Sequence, residues 1–174
     1  MKLGFSSFTI PWAIGGIDCD HPVSMTAHEL LELAHEMQAD VLQIADNLPI
    51  GKLSGEELQK LKAQADQYSI ALEVGTRGIK SENIANFLRI AQTLSSPILR
   101  IVIDSKGHEP AIPEIVELLK PFESKFKAAG IKLVIAGEFY ESPTPYLTQI
   151  EQLGLTDTIS VYNQYIGEKE VTQY

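Results

Sequence analysis

The chain has 174 residues, 44% of them hydrophobic and 21% charged, a composition that excludes a disordered tail or a fibrous repeat and suits one globular domain. Fourteen Lys and Arg stand against twenty-three Asp and Glu; the net charge of −9 and the lack of any basic run argue against nucleic acid and membrane as partners. A single cysteine, Cys19, excludes a disulfide framework and a Cys-based zinc cluster, and no window approaches the ~20 apolar residues of a spanning helix, so a cytoplasmic protein is expected.

Along the chain, strand and helix patterns alternate at roughly 30-residue intervals, as in βα units. The first strand is expected over Lys2–Ile10, followed by a loop from Pro11 to Pro22. Thr26 and Glu29 have capping-box spacing, and Leu30, Leu31, Leu33, Ala34 and Met37 follow at helical intervals. A short apolar run, Val41–Ala45, predicts the second strand, and Ser54 with Glu57 forms a second capping box before Leu58, Leu61 and Ala65. Ile70–Gly75 reads as the third strand, and Ser81 is placed to cap a helix through Ile84, Phe87, Leu88 and Ala91. Ile98–Asp104 is the fourth strand, with a helix from about Ile112 to Ala128 that Gly130 terminates. Ile131–Gly137 is the fifth, a helix from Pro143 or Thr144 reaches Leu153, and a sixth strand begins near Ile159.

Short strands that are apolar almost throughout, each followed by an amphipathic helix, imply a parallel sheet covered by helices. Two α/β architectures satisfy this, an open doubly wound sheet and a (β/α)8 TIM barrel. The turn after the first strand, Ser6-Ser-Phe-Thr-Ile-Pro, lacks the glycines of a dinucleotide-binding loop. Polar residues instead end every strand: Ser7 and Thr9, Asp46 and Asn47, Arg77, Asp104 and Glu138. Barrel enzymes carry their chemistry on that rim, which favours the barrel. A complete barrel takes about 250 residues, so about six strands and five helices make an incomplete one. Its unpaired edges then call for a homo-oligomer or some other cover.

The segments KLGFSSFTIPWAIG, VLQIADNLPI and LEVGTRGIK resemble the sugar phosphate isomerase/epimerase family with the xylose-isomerase-like barrel, and the resemblance runs from Met1 to about Asp157. It implies aldose–ketose isomerisation or epimerisation of a sugar or related polyol. It also implies a divalent metal, commonly Mn²⁺, Mg²⁺, Co²⁺ or Zn²⁺, held by carboxylates and a histidine from the last four strands. Of these ligands the resemblance carries over only Glu138, in IAGEFYE, where Phe139-Tyr140 replaces the family's Asn-His. Near the sixth strand Asn163 is the nearest oxygen ligand, and residues 158–174 depart from the family pattern, as in a truncation or frameshift product.

Glu138 is accordingly the candidate metal ligand and acid/base carboxylate. Arg77, between Gly75 and Gly78, has the fork geometry for a carboxylate or phosphate. Glu73 shares the Gly75 face of its strand, and Arg100 is expected at the same level as its ion-pair partner. Asp46 and Asn47 should point to opposite sides, one to the rim and one to the turn before Pro49. Trp12 lies in the first loop, where a ring stacks on a sugar or is buried against neighbouring loops. His28 and His35, two turns apart on one helix, are too distant to chelate one ion, and His21 and His108 fall in loops. Two functions follow: a metal-dependent isomerase or epimerase, or a catalytically dead barrel remnant that binds a small polyol or a partner chain.

Overall fold

The computed structural model describes residues 2–14, 25–105, 107, 110–137 and 159–163. Glu138, His21, His108 and the helix expected from Pro143 lie outside them. Strands β1 (Gly4–Ser6), β2 (Val41–Ile44), β3 (Ala71–Arg77), β4 (Ile98–Val102), β5 (Lys132–Gly137) and β6 (Ile159–Asn163) form one sheet in that order, with every neighbouring pair parallel. The described α-helices are α1 (Pro11–Ile14), α2 (Ala27–Glu36), α3 (Gly55–Tyr68), α4 (Ser81–Thr93), α5 (Ile112–Leu119) and α6 (Glu123–Ala129).

The sequential order decides between the two architectures. A doubly wound sheet reverses its strand order at a switch point, and the described strands contain none. Right-handed crossovers that always step the same way put their helices on one side of the sheet, which is the construction of a barrel wall. The side chains agree. Leu42, Ile44, Leu72, Val74, Leu99, Ile101, Leu133 and Ile135 are buried, and they share one core with Leu30, Leu31, Leu58, Leu61, Ile84, Leu88 and Phe126 from the helices. Their neighbours in sequence, Gln43, Glu73, Ile98, Arg100 and Val134, are half-buried on the other face, the inside of the barrel wall.

Both predicted capping boxes form. The Thr26 side chain accepts from the Glu29 N–H and that of Ser54 from the Glu57 N–H, while each glutamate reaches back to the cap backbone. Other boundaries differ from expectation. The first strand stops at Ser6 because Ser6 and Thr9 make a reciprocal cap that starts a 3₁₀ turn over Ser7–Thr9, and α1 follows directly. The helix expected from Ile112 to Ala128 is two helices, broken by a 3₁₀ turn at Lys120–Phe122. Pro121 lies in that turn, where its missing N–H cannot continue the helical ladder. Ser81 is the first helical residue of α4 rather than its cap, which is Lys80 with no side-chain bond.

Candidate active site

The inward faces and C-terminal ends of β1 to β4, with Val134 of β5, surround a cavity of about 590 Å³ lined by Ser6, Phe8, Gln43, Asp46, Arg77, Ile98, Arg100, Val102 and Val134. The parallel register sets this wall. Ser6, Gln43 and Glu73 lie side by side across β1, β2 and β3. Gly75, Arg100 and Val134 form the next row, and Arg77, Val102 and Ala136 the row at the rim.

Arg77 is held by two carboxylates. Its Nη1 donates to Asp104 Oδ2 at 2.7 Å, and its Nε lies 3.8 Å from Asp46 Oδ2. The Arg77 and Asp104 side chains are 42% and 54% exposed, so the pair contributes at most about 1 kcal/mol to stability and acts mainly on orientation. Asp46 is much less exposed, at 14%, and its Oδ1 is buried with no hydrogen-bond partner among the described residues. The backbone under Arg77 is fixed separately. Gly78 adopts φ +87°, which L side chains rarely reach, and its N–H donates to the Val102 carbonyl at 2.7 Å. Asn83, in the first turn of α4, donates through Nδ2 to the Gly78 carbonyl (2.7 Å), the Arg77 carbonyl (3.0 Å) and Thr76 Oγ1 (3.2 Å).

Asp46 and Asn47 diverge as the strand end requires. Asp46 faces the cavity, whereas Asn47 is buried against Ser7: the Ser7 hydroxyl donates to Asn47 Oδ1, Asn47 Nδ2 donates to the Ser7 carbonyl at 3.1 Å, and the Ala45 N–H donates to Ser7 Oγ at 3.0 Å. Asn47 therefore secures the β1 and β2 ends to each other, and the expected cap of the turn before Pro49 is replaced by this pair. Arg100 lines the cavity, but it does not share a level with Glu73. Arg100 is registered with Gly75, one row nearer the rim, and Glu73 instead accepts from Gln43 Nε2 at 3.1 Å. The staggered pairing of tilted parallel strands separates two residues that simple counting places side by side.

Trp12 is 69% exposed on α1 and is not among the residues lining the cavity, so the expected burial against neighbouring loops does not occur. Phe8, also exposed, lines the cavity in its place. His28 bonds Gln64 Oε1, and His35 stacks on Tyr68 with ring centroids 4.1 Å apart. Among the described residues, which do not include Glu138, no group of three or more His, Cys, Asp or Glu is arranged to hold a metal ion. No helix among them is long and apolar enough to cross a membrane.

Comparison with known proteins now bears on this geometry. No protein-family model matches the sequence. The chain is 31% identical over 141 residues to 3-oxo-isoapionate decarboxylase of Pectobacterium atrosepticum, a match covering 81% of this chain and 50% of that enzyme. Among solved structures it superposes on D-psicose 3-epimerase, crystallised in the presence of D-fructose, with a TM-score of 0.69 at 14% identity, over 92% of this chain and 62% of the other. A xylose isomerase domain-containing protein of Salmonella typhimurium gives 0.63 at 13% identity, over 92% and 59%. The IolI protein with a bound zinc atom gives 0.53 at 16%, over 92% and 62%. The fold is thus that of the xylose-isomerase-like TIM barrels, and the chain spans about half the length of the curated relative it matches and about three-fifths of these structures.

Proposed function

We propose that the cavity processes a small sugar-derived substrate by enediolate chemistry, isomerisation or epimerisation beside a carbonyl, with Glu138 as the carboxylate that moves the proton. The observation carrying this reading is the cavity itself. It lies at the C-terminal ends of parallel barrel strands, where such folds perform chemistry, and its volume of about 590 Å³ suits a small molecule. Its wall combines hydrogen-bonding groups (Ser6, Gln43, Asp46) and two guanidinium groups with apolar Ile98, Val102 and Val134, a combination suited to a polyhydroxylated ligand.

In the proposed reaction a carboxylate takes the proton from a hydroxyl-bearing carbon next to the carbonyl. The C–H electron pair becomes the carbon–carbon double bond of an enediolate. Return of the proton to the neighbouring carbon, with the hydroxyl proton passing to the former carbonyl oxygen so that the other oxygen becomes the new carbonyl, gives the isomer, and return to the opposite face of the same carbon gives the epimer. A divalent cation would supply Lewis-acid polarisation of the carbonyl. Glu138 is the one ligand the resemblance offers for it in this chain, and no step above depends on it.

Decarboxylation is the second reading, favoured by the 31% identity to 3-oxo-isoapionate decarboxylase. Loss of CO₂ from a 3-oxo acid leaves the C–C electron pair in the same kind of enolate, so one site serves either reaction. Incubating the chain with D-fructose in D₂O and following deuterium by NMR tests the first reading. Exchange at the carbon beside the carbonyl, slowed about 10²–10⁴-fold in Glu138→Gln, is expected. CO₂ release from a 3-oxo sugar acid with no exchange supports the second. Saturable sugar binding with neither reaction supports a binding module.

A further inference from the structure

We infer that Asp46 is the residue through which this cavity demands a hydroxyl group at one position of its ligand, its carboxylate accepting that hydroxyl's hydrogen bond; the inference rests on the assignment of the cavity as the substrate site. Hydrogen-bond accounting along the wall is the first ground. Ser6 Oγ accepts the Phe8 N–H at 3.3 Å, Gln43 Nε2 donates to Glu73 at 3.1 Å, and Arg77 Nη1 donates to Asp104 at 2.7 Å. Asp46 stands apart from these lining side chains. Its Oδ1 is buried with no partner among the described residues, and its Oδ2 lies 3.8 Å from Arg77 Nε, past hydrogen-bond length. An ionised carboxylate offers about four acceptor positions, and buried polar side chains are nearly always hydrogen-bonded.

The second ground is that the groups beside Asp46 are already committed. The Asn47 carboxamide is closed on Ser7 in both directions, and the Ser7 hydroxyl oxygen also accepts the Ala45 N–H. These bonds hold the chain on either side of Asp46 and keep its carboxylate at the cavity wall. Folding stability does not explain the arrangement. A side chain only 14% exposed gives up hydration that one long ionic contact does not restore, and Arg77 has a shorter contact with Asp104 without it. A ligand hydroxyl supplies the missing donor, and a hydrogen bond to an ionised acceptor is about twice as strong as one between neutral groups. Because Oδ1 is itself out of solvent, the hydroxyl meets Oδ2, or either oxygen after rotation about the soft terminal torsion that exchanges the two. An analogue lacking that hydroxyl leaves the carboxylate unpaired, which is the kind of loss that discriminates most strongly between ligands.

Calorimetry on the full chain with D-fructose and its 1-, 3-, 4-, 5- and 6-deoxy analogues tests the inference. One analogue should bind about ten-fold or more weakly than D-fructose. In Asp46→Ala, D-fructose should bind about as weakly as that analogue binds the native chain. Removing the same hydroxyl should then cost no more than about two-fold, the mark of a direct pair in a double-mutant cycle. Asp46→Asn keeps an acceptor without the charge and should retain only part of the penalty, and it serves as the readout if the Ala variant melts early. At least one variant should melt within about 4 °C of the native chain or above it, since the carboxylate has no hydrogen bond to lose. Equal binding of all five analogues, a penalty undiminished in both variants, no saturable binding of D-fructose, or a larger fall in melting temperature in both variants overturns the inference. Deuterium exchange into D-fructose with no penalty that depends on Asp46 overturns it while leaving the enediolate reading standing. A penalty that depends on Asp46, without exchange or decarboxylation, does the reverse.

Discussion

Ser7 and Asn47 close a reciprocal buried pair across the ends of β1 and β2, forty residues apart in sequence, with the Ser7 hydroxyl and carbonyl both engaged by one carboxamide. Because the Ser7 oxygen also accepts the Ala45 N–H, one side chain serves both strand ends and sets the β1–β2 floor on which Asp46 stands. Asn47→Ala should cost about 1–3 kcal/mol, since it strands partners that water cannot reach. Ser7→Ala should cost a similar amount, and the double variant less than the two losses added, because both remove the same interaction. Urea denaturation of the three variants measures this.

Gly78→Ala should destabilise by about 1–2 kcal/mol from the left-handed φ alone. A further steric part arises because the new Cβ would lie 3.1 Å from Ser105 Cβ. Adding Ser105→Gly should recover only that steric part. Thermal melts of the single and double variants separate the two contributions.

Asn83→Ala removes a donor shared by three acceptors on the β3 exit. The expected loss is about 0.5–1.5 kcal/mol, modest because the site is partly open to water. Urea denaturation of the single variant measures the loss.

Acid should weaken the chain through its helix caps. The Glu29 carboxyl is held below its ordinary range by hydrogen bonds from the Thr26 backbone and then its hydroxyl. Glu57 is held low by the Ser54 side chain and then its backbone N–H. Since both folded values lie below the unfolded ones, the unfolded chain binds more protons. The caps' contribution is therefore complete above the unfolded carboxylate range and fades as pH falls toward the folded values. A Glu29→Gln/Glu57→Gln variant should show a flatter acid limb when urea midpoints are compared between about pH 3 and 7.

What the sequence revealed and what it concealed divide along a physical line. Val41–Ala45, Ile98–Asp104 and Ile131–Gly137 could be read as strands because the strands of a helix-covered parallel sheet are apolar almost throughout, and Thr26/Glu29 and Ser54/Glu57 because a capping box is a local signal. The rim residues Asp46 and Arg77 were readable for the same reason, as polar residues ending apolar runs. Ser6 ended its strand early because a local hydrogen-bond exchange with Thr9 outcompeted the apolar pattern. The stagger between Glu73 and Arg100 is a property of strand pairing that neither segment contains alone. Asn83 carried no signal either: an Asn in the first turn of a helix is commonplace, and only the return of α4 onto β3 turns it toward the Arg77 and Gly78 carbonyls.

The unbroken strand order also bears on how such a chain comes together. Paired strands are separated by 25 residues where Val74 meets Leu99 and by 37 where Gly4 meets Val41, a narrow range for a sheet of six strands. Loop-closure entropy rises only with the logarithm of loop length, so each added stave meets nearly the same barrier as the one before. No strand has to wait for a distant partner before it can dock. Growth can thus proceed outward stave by stave from any formed pair, and a wall of this kind can be lengthened without rearranging what is already in place.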